Sequence, residues 1–546
     1  MTVADHIAAF LVSHGVRHVF GFQGSAMLKM LDSIAATGRI EYIQGFHEQA
    51  SAFAADAYAR MDGKPGVAIA TSGPGASNMV TGIANAFFDS VPMLYLTGQD
   101  RRAHVASGRR CRQNGFQDMD IVSMSANVAK RSVQVLDGAS LAAELDRCWT
   151  LAQTGRKGPA LIDVPLDLQF EEMPKQSAAG RDAAREQPPP SGASRLGEAV
   201  DALKSSSRPV VLAGGGVRLA GCCGRLGDFA RETRIPVVST LMGLDSTEET
   251  LGFSGLYGNP LPNRVLGGAD CIIALGTRFA FHQTGKDLGL YSSATKVIHV
   301  DVDATELGRV YRDAICVQAD LNAFFDAVSG RGLALDIGDW TAQVGRWREE
   351  LGGPPEGFPA QFLGRLFRDM PRDAVVVADV GSNQMWVAQC FVPNGANRLL
   401  NSGGLGAMGY SLPAAIGASY ATRSPVVAVC GDGGFQMNVQ ELNTLALRRR
   451  NVKVFVFDNS ALGLMRWLQR RYYGGRFFGN TEREFSCPDV CRLAAAFGLK
   501  TARVSSAGDF AKLQEVFEDD EPWLVDVVVD ADDLSPSRYE RGGFAK

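Results

Sequence analysis

Gly431-Asp432-Gly433-Gly434 sets one carboxylate among residues without side chains, directly after the apolar run 426–430. The run reads as a buried strand, so its polar end presents an acid and bare backbone amides. Val439, Leu442, Leu445 and Ala446 then recur at helical spacing, and a second apolar run, 452–457, ends at Asp458-Asn459. Such a strand–helix–strand unit lays its two strand ends side by side at the carboxyl edge of a parallel sheet, where these sheets bind ligands. Asp432 and Asn459 can then reach one ion. Oxygen donors suit magnesium, which takes one or two protein oxygens and completes its shell with phosphate and water. The glycines let the backbone approach phosphate, and the start of the following helix adds positive potential. The unit reads as a magnesium-diphosphate clamp, although Gly-Asp-Gly alone also makes an ordinary turn.

A second candidate is Glu48. The strand-like run 40–43 leads through Gly45-Phe46-His47 to Glu48, and Ala52, Ala54, Ala55, Ala57 and Ala59 follow on one helical stretch. A helix of such small residues packs closely on a neighbour and buries the acid at its start, which then needs a hydrogen-bond partner. Read by itself, Glu48 fits a helix-start acid favoured by the helix dipole better than a catalyst; the clamp in the same chain reverses that reading.

The elements that must position these residues are legible as alternation. Short apolar runs and helical stretches alternate through 16–20, 67–70, 93–96 and 160–164, again through 208–216, 271–275 and 297–302, and again from 374 to 527. This is the pattern of parallel α/β sheets, here three doubly wound domains spanning about 1–170, 190–330 and 356–532. Residues 173–194, rich in Ala, Pro and Gly, read as a linker, and 330–357, with two tryptophans among Gly, Pro and charge, as another. The tail after Asp532 is polar and carries no motif.

A chain of 546 residues, 46% apolar and 21% charged, has the composition of an ordinary globular protein. Fifty-five basic and 59 acidic residues leave a net charge of −4 without a basic stripe, which argues against nucleic acid as a partner. No apolar run is long enough to span a bilayer, and no charged-then-apolar leader opens the sequence, so a cytoplasmic location is expected. The ten cysteines are scattered without metal-site spacing and read as reduced thiols.

The segments His47-Glu48-Gln49, Thr71-Ser72-Gly73-Pro74-Gly75, Asp89-Ser90-Val91-Pro92, Gly115-Phe116-Gln117-Asp118, Ser402-Gly403-Gly404-Leu405-Gly406-Ala407-Met408-Gly409 and Leu412-Pro413-Ala414-Ala415-Ile416-Gly417, with the clamp, closely resemble the thiamine diphosphate-dependent acetolactate synthase (acetohydroxyacid synthase) family over nearly the whole chain. The resemblance implies decarboxylation of pyruvate and transfer of its two-carbon unit to a carbonyl acceptor. It implies thiamine diphosphate and magnesium, the metal held by Asp432, Asn459 and the Ala461 carbonyl. It makes Glu48 the catalytic carboxyl, hydrogen-bonded to the cofactor's pyrimidine N1′ so that the neighbouring 4′-nitrogen takes the C2 proton.

Further cofactor contacts follow by resemblance: Gly24, Pro74, Gly406 and Met408, the last as an apolar wedge under the bent cofactor; a second diphosphate loop, Gly381, Ser382 and Asn383; and, around the metal, Gly431, Gly433, Gly434, Leu462, Gly463 and Leu464. Phe116 and Gln117 match positions near the reacting fragment. In relatives Glu48 and the clamp come from different subunits, so a homodimer or homotetramer is implied. Gly214, Gly215, Gly216, Met242, Gly276, Arg278, Asp301 and Asp320 resemble flavin-binding segments, where FAD is held without redox turnover; relatives also use this domain for ADP or for nothing.

The chain departs from the family at the acceptor pocket, to which Lys130, Arg278, Trp467 and Leu468 are assigned. Leu468 stands where the family's acceptor-selecting Trp is usual, and Trp467 where Gln is. Ser382-Asn383 replaces a common Gln-His, and Gln23-Gly24-Ser25 the usual Pro-Gly-Gly. A changed pocket beside an intact cofactor site points to the same donor with another acceptor: a ketone, an aldehyde or, as in some sugar-pathway relatives, a keto-sugar nucleotide. Two further readings are a flavin oxidoreductase like pyruvate oxidase and a non-catalytic subunit, the latter disfavoured by intact Glu48, Asp432 and Asn459.

Overall fold

A computed structural model describes residues 1–105, 111–174, 193–285, 295–329, 333, 335–531 and 533. Most of the expected linker at 173–194 and most of the tail lie outside these residues. Three six-stranded sheets, each parallel throughout, follow one another along the chain. The first holds β1 (His18–Phe22), β2 (Glu41–Gln44), β3 (Gly66–Ala70), β4 (Met93–Gln99), β5 (Arg131–Gln134) and β6 (Pro159–Pro165), in the order β2-β1-β3-β4-β6-β5. The second holds β7 (Pro209–Ala213), β8 (Val237–Ser239), β9 (Thr250–Phe253), β10 (Cys271–Leu275), β11 (Lys296–Asp301) and β12 (Ile315–Gln318), in the order β12-β11-β10-β7-β8-β9. The third holds β13 (Val375–Ala378), β14 (Arg398–Asn401), β15 (Val426–Gly431), β16 (Val452–Asp458), β17 (Lys500–Val504) and β18 (Trp523–Val528), in the order β14-β13-β15-β16-β18-β17.

Each order has a reversal inside the sheet, between β1 and β3, between β10 and β7, and between β13 and β15; in the first and third sheets the chain doubles back once more at the far edge, where β6 lies inside β5 and β18 inside β17. Loops leaving the two strands at such a reversal diverge to opposite faces and open a crevice at the carboxyl edge. The clamp follows β15, the Gly214-rich loop follows β7, and Gly24 follows β1, so the sheet orders alone set three crevices beside the candidate residues.

Two segments differ from their sequence-based reading. Residues expected to form a second connector contain the helix Gly338–Leu351. Its Trp340 packs into the second domain's core and donates its indole N–H to Pro209 O at 3.1 Å, with Trp347 edge-on to it. Tryptophans seven residues apart share a helical face, a periodicity hidden by the surrounding glycine and charge. The helical stretch behind the clamp is broken at Asn438 into the helices Asp432–Met437 and Glu441–Arg448, where the Asn438 amide donates to Gly409 O at 2.7 Å.

The first and third domains share a core. The helix Glu48–Asp62 is buried at every position from 50 to 59, and its Phe53 and Ala57 belong to the cluster built by Tyr410, Leu412, Ile416 and β15. Small residues permit this approach: a Cβ on Gly417, in the buried helix Ser411–Ser419, would lie 1.9 Å from Ala54 O. Beside the contact, Arg60 donates to Asp56 at 2.7 Å, to Asp89 at 2.9 Å and to Asn401 O at 3.1 Å, while Tyr410 donates to Asp56 at 2.8 Å. Charged groups this deeply buried are tolerable only because each has partners.

Gly417→Ala tests the helix contact. The clash outweighs the ~1 kcal/mol that Ala gains over Gly inside a helix, and a net loss of ~2 kcal/mol is expected, read as a lower urea midpoint. An unchanged or raised midpoint would mean that the two helices separate freely.

Candidate active site and cofactor cavity

β15 and β16 pair in register, with Gly431 opposite Phe457, so the residues after them meet. Asp432 Oδ2 accepts the Ala461 N–H at 3.2 Å, and Asn459 Oδ1 accepts the same N–H at 3.1 Å. Asp432, Asn459 and Ala461 are thus brought together, with Ser460 at φ 49° turning the chain between the last two. Burial and the neighbouring Asp458 carboxylate raise the Asp432 carboxyl to about 7. Oxygens of Asp432 and Asp458 lie within 4.8 Å of each other and of the Cys487 sulfur, whose thiol burial keeps protonated. Two acids in a poorly hydrated turn, with amide and carbonyl oxygens beside them, form a donor set for a hard divalent cation.

The surroundings fit a diphosphate. A Cβ on Gly433 would meet Leu462 at 2.6 Å and Met408 Cε at 3.3 Å, so Met408 and Leu462 close over the turn. Gly381 (φ 140°) starts the helix Ser382–Cys390 after β13. Ser382 Oγ lies 3.3 Å from a Cβ position on Gly463 and Asn383 Oδ1 3.3 Å from one on Gly431, so both expected diphosphate loops face one crevice. Gly463 and Leu464 open the helix Gly463–Tyr472.

Two residues not singled out from sequence, Asp379 and Asn480, hold this crevice, and a third, Asn78, holds Glu48. Asp379, fully buried, accepts from Val380 N, Gly409 N and Ser411 N at 2.8, 2.9 and 2.9 Å, and burial raises its carboxyl. Asn480 brackets Leu462, accepting from its N–H at 2.9 Å and donating to its carbonyl at 3.0 Å. Asn78 serves the other half-site. Asp379 could be found as an acid ending an apolar strand before glycine; Asn480 lies in a stretch without periodicity and gave no signal.

Glu48 is the first residue of its helix, 7% exposed, with Asn78 donating to its Oε2 at 2.9 Å. Asn78 ends the short helix Pro74–Asn78, whose Gly75 would place a Cβ 3.1 Å from Glu48 Oε1. Gly24 presses on Thr71, and Gln117 (φ 60°) packs against Gly73, so Gly24, Pro74 and Gln117 gather around Glu48. Phe116 is 80% exposed. Among the described residues, no hydrogen bond joins Glu48 to the Asp432 turn of its own chain. Glu441 accepts the Phe46 N–H at 2.9 Å and pins the segment that leads into Glu48.

The second crevice is a cavity of about 520 Å³ where all three domains meet. Gly215, Gly216, Met242, Gly276, Arg278, Asp301 and Asp320 line it. Gly214 stands behind, where a Cβ would lie 2.2 Å from Gly276 O. Gly276 (φ 54°) crosses Gly216 so closely that a Cβ would meet its Cα at 2.6 Å, leaving backbone as the cavity floor. Burial raises the Asp301 carboxyl to about 6. An acid at the end of a strand accepts from ribose hydroxyls and the amides of a glycine loop donate to a pyrophosphate, and the volume suits a dinucleotide such as FAD.

The acceptor-pocket residues are not assembled in one place. Arg278 lines the cavity, whereas Lys130 donates to Thr154 O at 2.7 Å at the edge of the first domain. Trp467 and Leu468 stand on the helix Gly463–Tyr472, Trp467 lying under Arg471 at 5.5 Å.

No helix among the described residues is long and apolar enough to cross a membrane. Family models for thiamine pyrophosphate enzymes match the chain in three parts: the N-terminal TPP binding domain at residues 1–124, the central domain at 196–328 and the C-terminal TPP binding domain at 379–527. The chain is 35% identical to a chloroplastic acetolactate synthase of Arabidopsis thaliana, over 96% of this chain and 81% of that protein. It is 34% identical to the acetolactate synthase large subunit of Lactococcus lactis, over 94% and 90%. With the acetolactate synthase isozyme 2 large subunit of Escherichia coli it shares 33%, over 97% and 96%. Three domain matches in sequence order, on three sheets whose crevices hold the expected residues, leave one conclusion: the chain belongs to the thiamine pyrophosphate enzymes and, within them, to the acetolactate synthase family.

Proposed function

We propose that the protein decarboxylates pyruvate and transfers the two-carbon unit to a carbonyl acceptor, with thiamine diphosphate and magnesium. The observation that carries this reading is the meeting of Asp432, Asn459 and Ala461 in one turn roofed by Met408. Bound thiamine diphosphate supplies the electron sink for decarboxylation. Asp432, Asn459 and the Ala461 carbonyl hold the metal, and Ser382, Asn383 and the glycine backbone receive the diphosphate. Glu48, fixed by Asn78, holds a hydrogen bond at the aminopyrimidine and so governs the proton there. Gly214, Gly215, Gly216, Asp301 and Asp320 hold FAD in the central cavity.

Glu48 and the clamp have separate surroundings within one chain, which supports a homodimer or homotetramer in which the Glu48 of one subunit serves the clamp of another. Phe116, exposed beside Gln117, then lies toward the second subunit. The acceptor is selected near Trp467 and Leu468, whose helix begins at the clamp. The family pattern supports a second 2-oxoacid as acceptor; the changed side chains at Trp467, which lies under Arg471, and at Leu468 carry the second reading, a ketone, an aldehyde or a keto-sugar nucleotide.

The deciding assay supplies labelled pyruvate, thiamine diphosphate and magnesium with each acceptor class and identifies products by NMR. Carbon dioxide release with a carboligation product is expected; peroxide formation in air would identify an oxidase, and absence of decarboxylation with every acceptor would reject the donor assignment. Glu48→Gln is expected to lower turnover at least ~100-fold while thiamine diphosphate still binds, whereas wild-type turnover would remove Glu48 from the proton step. Asp432→Ala is expected to abolish magnesium-dependent retention of the cofactor on gel filtration, and full retention would place the metal elsewhere. Leu468→Trp is expected to shift the ratio of kcat/KM values toward 2-oxobutyrate by ~10-fold, since a refilled pocket changes discrimination by one to three kcal/mol; an unchanged ratio would move acceptor selection away from this helix.

A further inference from the structure

Residues 402–409 form a strap between the central cavity and the diphosphate turn. At one end Asp89 accepts the Gly403 and Gly404 N–H groups at 3.1 and 2.6 Å, and its carboxylate also takes the Arg60 bond. Asp89, Gly403 and Gly404 all line the cavity. Met242, another wall residue, presses on the strap so closely that a Cβ on Gly403 would lie 2.3 Å from its sulfur. In the middle, Ala407 N donates to Ser402 Oγ at 2.9 Å, and Ser402 donates to buried Asn85 at 2.6 Å. At the far end Gly409 donates to Asp379, whose carboxylate lies 2.6 Å from where a Cβ on Gly434 would be, and Met408 reaches the Gly433 position.

We infer that this strap couples the two cofactor sites, with Asp89 as the positioning residue that seats it. The inference rests on the flavin reading of the cavity. The strap has two states, seated on the Asp89 carboxylate or lifted from it. A ligand against Met242, Gly403 and Gly404 favours the seated state. The same state fixes Met408 and Gly409 against the turn that receives the diphosphate. A ligand shifts such an equilibrium only by its difference in affinity for the two states, and the coupling is reciprocal. Asp89 is well placed for this because charge-assisted bonds to two successive amides are stronger than neutral ones, and no neutral side chain accepts both while pairing with Arg60.

The test is equilibrium binding by calorimetry on the full-length protein dialysed free of cofactors. In the wild type, saturating FAD is expected to tighten magnesium-thiamine diphosphate binding at least ~5-fold, and thiamine diphosphate to tighten FAD binding by the same factor. In Asp89→Asn, which keeps the size and removes the charge, each cofactor still binds but the factor falls to within about twofold of one. Coupling of wild-type size in Asp89→Asn would overturn the role of Asp89. FAD binding without coupling in the wild type would overturn the inference and leave the cavity assignment standing, whereas failure of FAD to bind would overturn both. Should Asp89→Asn not fold, amide hydrogen exchange in the wild type decides: FAD alone is expected to slow exchange at Gly403, Gly404 and Gly409, and unchanged exchange at Gly409 rejects the strap.

Discussion

The close contact between the helices Glu48–Asp62 and Ser411–Ser419 is the constraint on which the rest of the structure depends. It brings backbone within reach of backbone, and only Gly417 opposite Ala54 allows that. Because the contact is buried, the polar groups around it pair among themselves, which accounts for Arg60 bonding Asp56, Asp89 and Asn401 at once. Replacing either helix surface with larger apolar residues would part the first domain from the third and leave a buried guanidinium without its carboxylates. Glu48 sits at the start of this packed helix, so the position of this buried acid is set by core packing and not by a loop.

The three sheets solve one problem three times. Each has a reversal of strand order inside the sheet, and each places glycine-bearing loops on either side of it. What differs is the chemistry of the loops: two acids and amide oxygens after β15 and β16, bare glycine backbone and Asp301 after β7, β10 and β11, and a buried Glu flanked by Gly24 and Pro74 near β1 and β3. The glycine contacts matter most where loops cross, as at Gly276 over Gly216 and at Gly433 beneath Met408 and Leu462.

Much of this was legible in the sequence because it is carried by local pattern. Apolar runs ending in acid or glycine mark strands and their carboxyl ends, and they located Asp432, Asn459 and the Gly214 loop without reference to tertiary structure. The small-residue helix behind Glu48 announced its own close packing. Other features depend on distant partners and leave no such trace. Asn78 matters because it turns toward Glu48, Asn480 because it brackets Leu462, and Asn438 because its amide reaches Gly409 and interrupts a helix that periodicity carries straight through. The helix Gly338–Leu351 was masked by its composition, since two tryptophans on one face outweigh the surrounding glycine once they find a core to enter.

The helix Gly463–Tyr472 divides its labour along its length. Its first residue, Gly463, lies against Asn459 and Ser382, while Trp467 and Leu468 come a full turn later and, among the described residues, bear none of the clamp's hydrogen bonds. On the proposed site, substitutions there leave the coenzyme's anchoring residues in place. A lineage can therefore exchange its second substrate by drift along one helix while the machinery for the first stays fixed, and related chains with different products need differ in few side chains.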